Sequence, residues 1–437
     1  MTTNNFPYRT SFWCEQEPQR ATPLEGATQV DVAVIGGGFA GLSSARYLKQ
    51  ADPSLDIALL ESEYIGYGAS GRNEGGVSPL PPLTWLINDL TDPRHREPVR
   101  WAVSYIRQQA QELETLIEQS GIDCDFHPST ITPIAPGNFQ TNLLKWVAAQ
   151  CERAGLPCRT VSEAELRDGF GYPGKLGISI EGHALHPYHL ARGLLQVAQR
   201  AGVRVYEGTR VSRIVPSEQG VELFTETGAR LFARKVVLAT NAYTPQLNFG
   251  RRRLFPIPAY TYMLATESLD ETTLKRFGFG RGLTGELNVD MYYVRVYKGR
   301  LLFGGGGIHS SKPDAAPHLA AAAYRKLHAG MLSRFPFLTD VRLGAAWGGM
   351  LHETLNDAPV VRVSDESPHV ILNVGYSSSG VALTQISGKM VAGLALGKPH
   401  VDPDAERMRL LYENTRIPIG KALKLGLHWM TGSSGLS

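Results

Sequence analysis

VAVIGGGFAGLSSARYL, residues 32–48, holds three kinds of segment in a fixed order. A β-branched apolar run from Val32 to Ile35 reads as a buried strand, Gly36, Gly38 and Gly41 break it, and a helix-compatible stretch follows. A dinucleotide-binding unit requires this order. Gly36 permits the backbone angles of a tight turn, Gly38 lets the main chain approach a pyrophosphate, and Gly41 lets helix and strand pack closely. Phosphate charge sits on unpaired N–H groups at the positive end of the helix dipole. A second apolar run, IALLE, ends at Glu61, twenty residues beyond Gly41, where a carboxylate can accept hydrogen bonds from a ribose diol. A lone G-x-G-x-x-G is a weak signal, but the strand before it, the helix after it and the timed acid together specify a dinucleotide site. A glycine-rich turn in an ordinary α/β unit leaves Glu61 unexplained.

The chain of 437 residues is long enough for two domains around substantial cores. Its 46 glycines cluster at GGGFAG, GYGASGRNEGG, FGGGG, WGG and GYSSSG, which suggests loops drawn close to a ligand. A formal net charge of +3 is too small to argue for nucleic acid, and RRR at 251–253 reads as a solvated corner. Cys14, Cys124, Cys151 and Cys158 form no C-x-x-C pair, so the expectation is a reduced chain without structural zinc. The N-terminal MTTNNFPYRTSFWCEQ has no basic start followed by an apolar core, and no stretch approaches the roughly 20 apolar residues that span a bilayer. These features predict a soluble, cytoplasmic protein.

Residues 1–27 read as an arm on the surface. The βαβ unit fills about 30–61, and YIGYGASGRNEGG (64–76) suits a loop wrapped around a phosphate or ring edge, with the Ser70 hydroxyl, the Arg72 cation and bare glycine N–H groups. Helices are predicted at 101–121, ending at Gly121, and at 142–155. From Gly177 the pattern gives a strand, a helix opening near Pro187 and a strand at 203–206, a crossover that predicts a return to the first sheet. His183, His186 and His189 are spaced three apart, but Pro187 lies among them and no acidic helix motif accompanies them; they read as loop and helix-start histidines, with no metal site. KVVLATNAYTP (235–245) is a buried strand and a small-residue turn. From about 246 to 345 the texture suits an antiparallel sheet carrying helices, with Tyr293 and Arg295 on one face of their strand. In ILNVGYSSSGVALTQISGKMVAGLALGKP (371–399) a strand stops at Gly375 and a helix starts near Ser379 or Gly380, where free N–H groups can stabilise negative charge. RIPIGKALKLGLHWM (416–430) reads as an amphipathic helix packed on the body.

Together, VAVIGGGFAGLSSA with Glu61, IGYGASGRN, VVLATNAYTP, GRLLFGGG and NVGYSSSGVALTQISGKMVAG resemble the D-amino acid oxidase and sarcosine oxidase superfamily of flavoproteins, and most closely its γ-glutamylputrescine oxidase-like branch. The resemblance covers about residues 30–400. It implies an α/β fold (α+β overall), with a Rossmann-like FAD-binding domain and a discontinuous substrate domain built on an antiparallel sheet. The implied division is an arm at 1–27, an FAD-binding domain at 28–90, 156–245 and 346–400, a substrate domain at 91–155 and 246–345, and a helical extension at 401–437. FAD would meet Gly36, Gly38, Phe39, Ala40 and Gly41 at the pyrophosphate, and Glu61 and Ser62 at the adenosine ribose. Gly68, Ala69, Ser70, Arg72 and Asn73 would lie along the pyrophosphate and flavin, and the Val211 backbone would hold the adenine. Ala239, Thr240, Asn241 and Gly349 complete the lining, while Gly375, Ser379, Gly380, Val381 and Ala382 would face the pyrimidine end of the flavin. Two positions depart from the branch pattern: Glu74 precedes the two glycines after GASGRN, and Ser378 stands where relatives often have a Gly-His pair. No cysteine falls in the glycine-rich segments and no histidine stands in GASGRNEGG, so FAD is expected without a covalent bond.

The implied reaction oxidises a carbon–nitrogen bond of a small amine by hydride transfer to flavin, giving an imine, then a carbonyl compound and hydrogen peroxide. Candidate substrate-side residues are Tyr260, Tyr262, Tyr293, Arg295, Trp347 and His352: an arginine can clamp a carboxylate, and aromatic rings can wall an amine or hold a cation. The partners implied are the amine and oxygen or another acceptor, with no nucleic acid and no membrane span; a homo-oligomer is left open. The competing readings are a D-amino acid type dehydrogenase serving a quinone or carrier, an NAD-dependent dehydrogenase, which leaves the later glycine clusters without a role, and a non-catalytic flavoprotein.

Overall fold

The structure is a computed structural model, and it describes residues 6–16, 18–81, 96–153, 155–247, 249, 257–287, 291–309, 317–377, 379–398 and 402–414. Ser378, the RRR triplet at 251–253 and the segment 416–430 lie outside the described residues. Along the chain the elements are β1 (Ala27–Ile35), α1 (Phe39–Ala51), β2 (Ile57–Leu60), β3 (Gly76–Val77), α2 (Arg96–Ser120), β4 (His127–Ala135), α3 (Asn138–Arg153), β5 (Cys158–Ser162), β6 (Leu176–Ala184), α4 (Pro187–Arg200) and β7 (Arg204–Tyr206). There follow β8 (Val211–Pro216), β9 (Val221–Thr225), β10 (Arg230–Leu238), β11 (Ile257–Thr266), α5 (Glu271–Leu274), β12 (Leu283–Glu286), β13 (Tyr293–Tyr297) and β14 (Arg300–His309). The chain continues through α6 (Pro317–Arg334), β15 (Leu343–Glu353), β16 (Val360–Ser364), β17 (Ser367–Val374), α7 (Gly380–Leu396) and α8 (Pro403–Asn414). Among the described residues no helix is long and apolar enough to cross a membrane.

The first sheet runs β16-β17-β10-β1-β2-β7, with β8 and β9 as an antiparallel ribbon on β10. Its central strands are parallel, and register brings Ile35 beside both Leu60 and Leu238, with Leu372 beside Leu238. The carboxyl ends of β1, β2, β10 and β17 therefore share one edge, and the chain leaves that edge through Gly36, Glu61, Ala239 and Gly375. Because β10 and β2 flank β1 on opposite sides, the connections diverge there and open a crevice, the usual ligand position in an open parallel sheet. Buried side chains from both faces explain the near-continuous apolar runs of β1, β2 and β10.

Helices α1 and α7 lie together on one face. A Cβ built on Gly388 would stand 2.4 Å from the Ser43 hydroxyl oxygen and 2.9 Å from the Ser43 backbone, so only glycine permits this crossing. Arg46 Nη2 locks it by donating to Gln385 Oε1 at 2.9 Å, and Asn373 Nδ2 of β17 ties α1 to the sheet by donating to Ser44 Oγ at 3.0 Å. Helix α2, from the stretch assigned to the substrate domain, packs Ala102, Tyr105, Ile106 and Leu113 into this same core.

The second sheet runs β15-β11-β14-β13-β12-β4-β6-β3, with β5 on β6. Its pairings are antiparallel except β12 with β4. Tyr262, Leu264, Phe303, Tyr324, Leu327, Met331 and Phe335 form the core between it and α6.

Two expectations are corrected. The strand before Pro187, β6, pairs with β4 in the second sheet, so only β7 returns to the first. Residues 158–162 and 346–353 also belong to the second sheet, although both fall in segments assigned to the FAD-binding domain. An apolar strand pattern fixes a strand but not its partner, which is why periodicity misplaced β6. The arm lies on the surface, most of its described residues exposed or half-buried, and is anchored by the buried Ser11 and Trp13 and by a β-bridge from Tyr8 to Ala346.

Gly388→Val forces α1 and α7 apart. We expect a loss of about 1–3 kcal/mol or more in unfolding free energy, measured by denaturant titration.

Candidate active site

At the crevice edge Gly36 has φ +110°, and a Cβ on it would lie 2.6 Å from the Ala239 carbonyl oxygen; a Cβ on Gly41 would lie 1.9 Å from the Gly36 carbonyl oxygen. Turn, helix and neighbouring strand thus close as the glycine spacing predicts. Gly38 starts α1 without a side-chain cap of its own, and the Phe39 N–H donates instead to Ser70 Oγ at 2.9 Å. Glu61 is buried at the end of β2. Its Oε2 accepts from the Gly37 N–H at 2.7 Å, and its Oε1 accepts from the Glu63 N–H at 2.9 Å and the Ser62 hydroxyl at 3.1 Å. Burial raises this carboxyl above the usual carboxylate range, against the pull of those hydrogen bonds.

The loop after β2 folds around its own polar side chains. Arg72 Nε donates to the Tyr67 carbonyl at 2.7 Å and Nη1 to the Gly348 carbonyl at 3.0 Å, with the guanidinium 4.4 Å over the Tyr67 ring. A Cβ on Gly349 would meet the Arg72 side chain at 3.2 Å, which accounts for the small residues after Trp347. Asn73 Nδ2 donates to the Ala69 and Ser70 carbonyls, both at 3.1 Å, while its Oδ1 accepts from the Gly75 N–H at 2.8 Å.

Four successive carbonyls of this loop are then held from outside. The Ser11 hydroxyl donates to Gly71 O at 2.7 Å, Trp347 Nε1 to Arg72 O at 2.9 Å, Trp13 Nε1 to Asn73 O at 2.7 Å, and Arg295 Nη1 to Glu74 O at 2.8 Å. Two donors come from the arm and two from the second sheet. Sequence reasoning missed Ser11 and Trp13; the available signal was a Phe-Trp pair in an otherwise polar stretch.

This clamp redefines several substrate-side candidates. Arg295 is 1% exposed, and its Nη1 also donates to the Leu185 carbonyl at 2.8 Å. Its guanidinium lies 5.0 Å from the Tyr297 ring and 5.8 Å from that of Trp13, so it holds the loop and presents no open fork to a carboxylate. Burial lowers it to about 10, with Glu74 pulling the other way. Trp347, 1% exposed, stacks on Phe12 at 5.5 Å and anchors Arg72. Tyr262 belongs to the core, with its ring 5.1 Å from that of Tyr324 and its phenol pushed by burial up to about 12. His352 is fully buried, and its carbonyl accepts from the Ser377 N–H at 3.1 Å. Tyr260 and Tyr293 are half-buried; burial and the Glu74 charge raise the Tyr293 phenol. Tyr293 and Arg295 do share a face, and that face turns toward the loop.

Glu74 stands where the loop passes into β3. Its Oε2 is closed to solvent and has no hydrogen-bond donor, and burial pushes the carboxyl up to about 7 while Arg295 draws it back.

On the far side of the crevice Gly375 has φ +83°, and its N–H donates to Asn241 Oδ1 at 3.1 Å, tying the turns after β17 and β10 together. Thr240 pairs with Thr244 at 2.8 Å, and Val211 is buried at the start of β8, opposite Thr225. Helix α7 begins after Ser379, as the sequence predicts, and a cavity of about 30 Å³ lies between its first turn (Ser379, Val381, Ala382) and Gly76 and Ser78 of the loop. Another acid emerges behind the site: Glu207, fully buried after β7, accepts from the Ile65 N–H at 2.6 Å, the Ala21 N–H at 2.5 Å and Arg192 Nη1 at 3.1 Å. VYE repeats the strand-then-acid pattern of LLE, a signal that could have found it. His186 caps α4, its Nδ1 accepting from the His189 N–H at 3.1 Å, and the two rings stack at 3.7 Å.

The sequence profile of the FAD dependent oxidoreductases, DAO, matches residues 31–394. The chain belongs to that family. It is therefore an FAD-dependent oxidoreductase. Gamma-glutamylputrescine oxidoreductase of Escherichia coli is 29% identical over 88% of this chain and 86% of its own length, and glycine oxidase of Bacillus licheniformis is 25% identical over 84% and 94%. The crystal structure of glycine oxidase from Geobacillus kaustophilus shares the fold, with a TM-score of 0.68 at 21% identity over 85% of this chain and 95% of that one. The residues present fit FAD: a glycine turn into a helix start without a side-chain cap of its own, a buried acid at the second strand, and a second helix start facing the same crevice.

Two variants test this geometry. Gly38→Val drives a side chain toward Ser70, whose hydroxyl would lie 2.9 Å from a Cβ there, and across the helix start; we expect protein purified without its flavin absorbance. Trp13→Phe keeps the ring but removes the donor to Asn73, with an expected loss of about 1 kcal/mol in stability and faster FAD release, read by calorimetry and flavin fluorescence.

Proposed function

We propose that this flavoenzyme oxidises the carbon–nitrogen bond of a small amine, giving an imine that water hydrolyses to a carbonyl compound, with oxygen reduced to hydrogen peroxide. Bound FAD supplies hydride acceptance, chemistry that no side chain offers. The observation that carries the reading is the meeting of two helix starts, α1 and α7, and the Glu61 carboxylate at one sheet edge. Names of relatives, an amine oxidoreductase and an amino-acid oxidase, support the substrate class.

In this reading the turn of Gly36, Gly38, Phe39, Ala40 and Gly41 lets the pyrophosphate approach the positive end of α1, and Glu61 and Ser62 hold the ribose. Gly68, Ala69, Ser70, Arg72 and Asn73 lie along the pyrophosphate and flavin, and Val211 holds the adenine through its backbone. The N–H groups of Ser379 to Ala382 stabilise negative charge on the pyrimidine edge of the ring through the positive end of α7. Ala239, Thr240, Asn241, Gly349 and Gly375 line the crevice. The first sheet carries the cofactor, and the second, with Tyr260 and Tyr293, walls the amine. Cys14, Cys124, Cys151 and Cys158 are all free thiols, which supports a reducing, cytoplasmic setting.

The test is an anaerobic screen of amines, N-methyl amino acids and D-amino acids against the purified yellow protein. We expect the flavin band to bleach with a subset of amines and to recover in air with peroxide release. A band that no amine bleaches overturns the reading.

A further inference from the structure

A chain of buried polar side chains runs between the two helices whose starts face the crevice. The Ser44 hydroxyl of α1 donates to the Ala40 carbonyl at 2.7 Å and accepts from Asn373 Nδ2 at 3.0 Å. The Tyr376 phenol donates to Asn373 Oδ1 and also meets Ser387 Oγ of α7, which lies 3.0 Å from the Thr384 carbonyl. Ser44, Asn373 and Ser387 are closed to solvent, and Tyr376 is nearly so. Burial raises the phenol above its ordinary value, so it stays a neutral donor. Tyr376 also touches the start of α7 directly. Its carbonyl accepts from the Ser379 N–H at 3.1 Å, and a Cβ on Gly380 would stand 3.6 Å from its own Cβ. Ser379 gives this helix no side-chain cap, so the first turn is held by what packs against it. Without the phenol oxygen, Asn373 Oδ1 loses its donor in a buried setting, where a missing bond is expensive. The family assignment puts a flavin in the crevice, and the reading above gives its pyrimidine edge to Ser379–Ala382. Stabilisation of charge by a helix start falls off within one turn, so the place of that start decides its strength. We propose that Tyr376 is a positioning residue: its phenol fixes the start of α7 against the flavin and so sets how readily the ring takes negative charge.

The proposal rests on that placement of the pyrimidine edge, and its test needs no amine. The two-electron potential of the holoenzyme is measured against reference dyes. The oxidised form is also titrated with sulfite, which adds to the flavin and leaves negative charge on the ring. In Tyr376→Phe we expect the sulfite Kd to rise at least about tenfold. The potential should fall by about 30 mV, the two-electron equivalent of that factor. Val391→Ala opens a cavity beneath the same helix, away from its start, and reports loosening alone. There the melting temperature should fall while the sulfite Kd stays within about twofold of native. An unchanged potential in Tyr376→Phe overturns the proposal whatever the sulfite result, and so does an equal shift in both variants. Should Tyr376→Phe lose its FAD, Ser387→Ala takes its place, since it cuts the link to α7 and leaves the one to Asn373. A lowered potential in that variant supports the proposal, and a native one overturns it. A potential that depends on Tyr376 without bleaching by any amine supports the proposal and counts against amine oxidation alone. Bleaching by an amine with an unshifted potential in Tyr376→Phe does the reverse.

Discussion

Four consecutive backbone carbonyls, from Gly71 to Glu74, each accept a hydrogen bond from a side chain far away in sequence, and the crevice depends on that arrangement. A glycine-rich loop has a high entropy cost of ordering and little side-chain surface to bury. Each bond contributes about 1 kcal/mol net, but leaving such a buried carbonyl unmet costs more, so the four donors act as a set. They arrive from the arm, from β15 and from β13, while the inner side of the loop gives Ser70 to the start of α1. The loop is therefore the joint that fixes the second sheet relative to the dinucleotide turn.

The other side of the crevice is fixed by helix crossing. α1 and α7 touch through Gly388 and Ser43, and both aim their amino ends at the carboxyl edge of the parallel sheet. Two helix dipoles thus converge on one space with their positive ends, an environment built for an anion. Buried acids support it from behind: Glu61 and Glu207 leave the ends of β2 and β7 and accept backbone N–H groups that would otherwise be unmet. These are polar groups placed where burial makes each missing bond expensive.

Much of the site could be read from sequence because local backbone needs leave local marks. The β1 turn demands glycine at Gly36 and Gly41, the strand end demands an acid at Glu61, and the start of α7 follows a break at Gly375 and Ser379. The antiparallel texture read over about 246–345, the helix ending at Gly121 and the shared face of Tyr293 and Arg295 were legible for the same reason, since their periods and caps are properties of short segments.

What the sequence could not determine is which segment meets which. An apolar strand does not name its partner, so β6 went to the wrong sheet, and α2 packed on a core that its place in the chain did not suggest. An arginine and a tryptophan on a strand carry no mark saying whether they face a ligand or a neighbouring loop. The tertiary structure decided that Arg295 and Trp347 donate to the carbonyls of Glu74 and Arg72, because a folded glycine loop leaves those oxygens in need of donors that only distant side chains can supply. By itself the chain determined a dinucleotide turn, its acid and the helix that closes the crevice. The fold alone determined the wall opposite, through hydrogen bonds between residues as much as 276 positions apart.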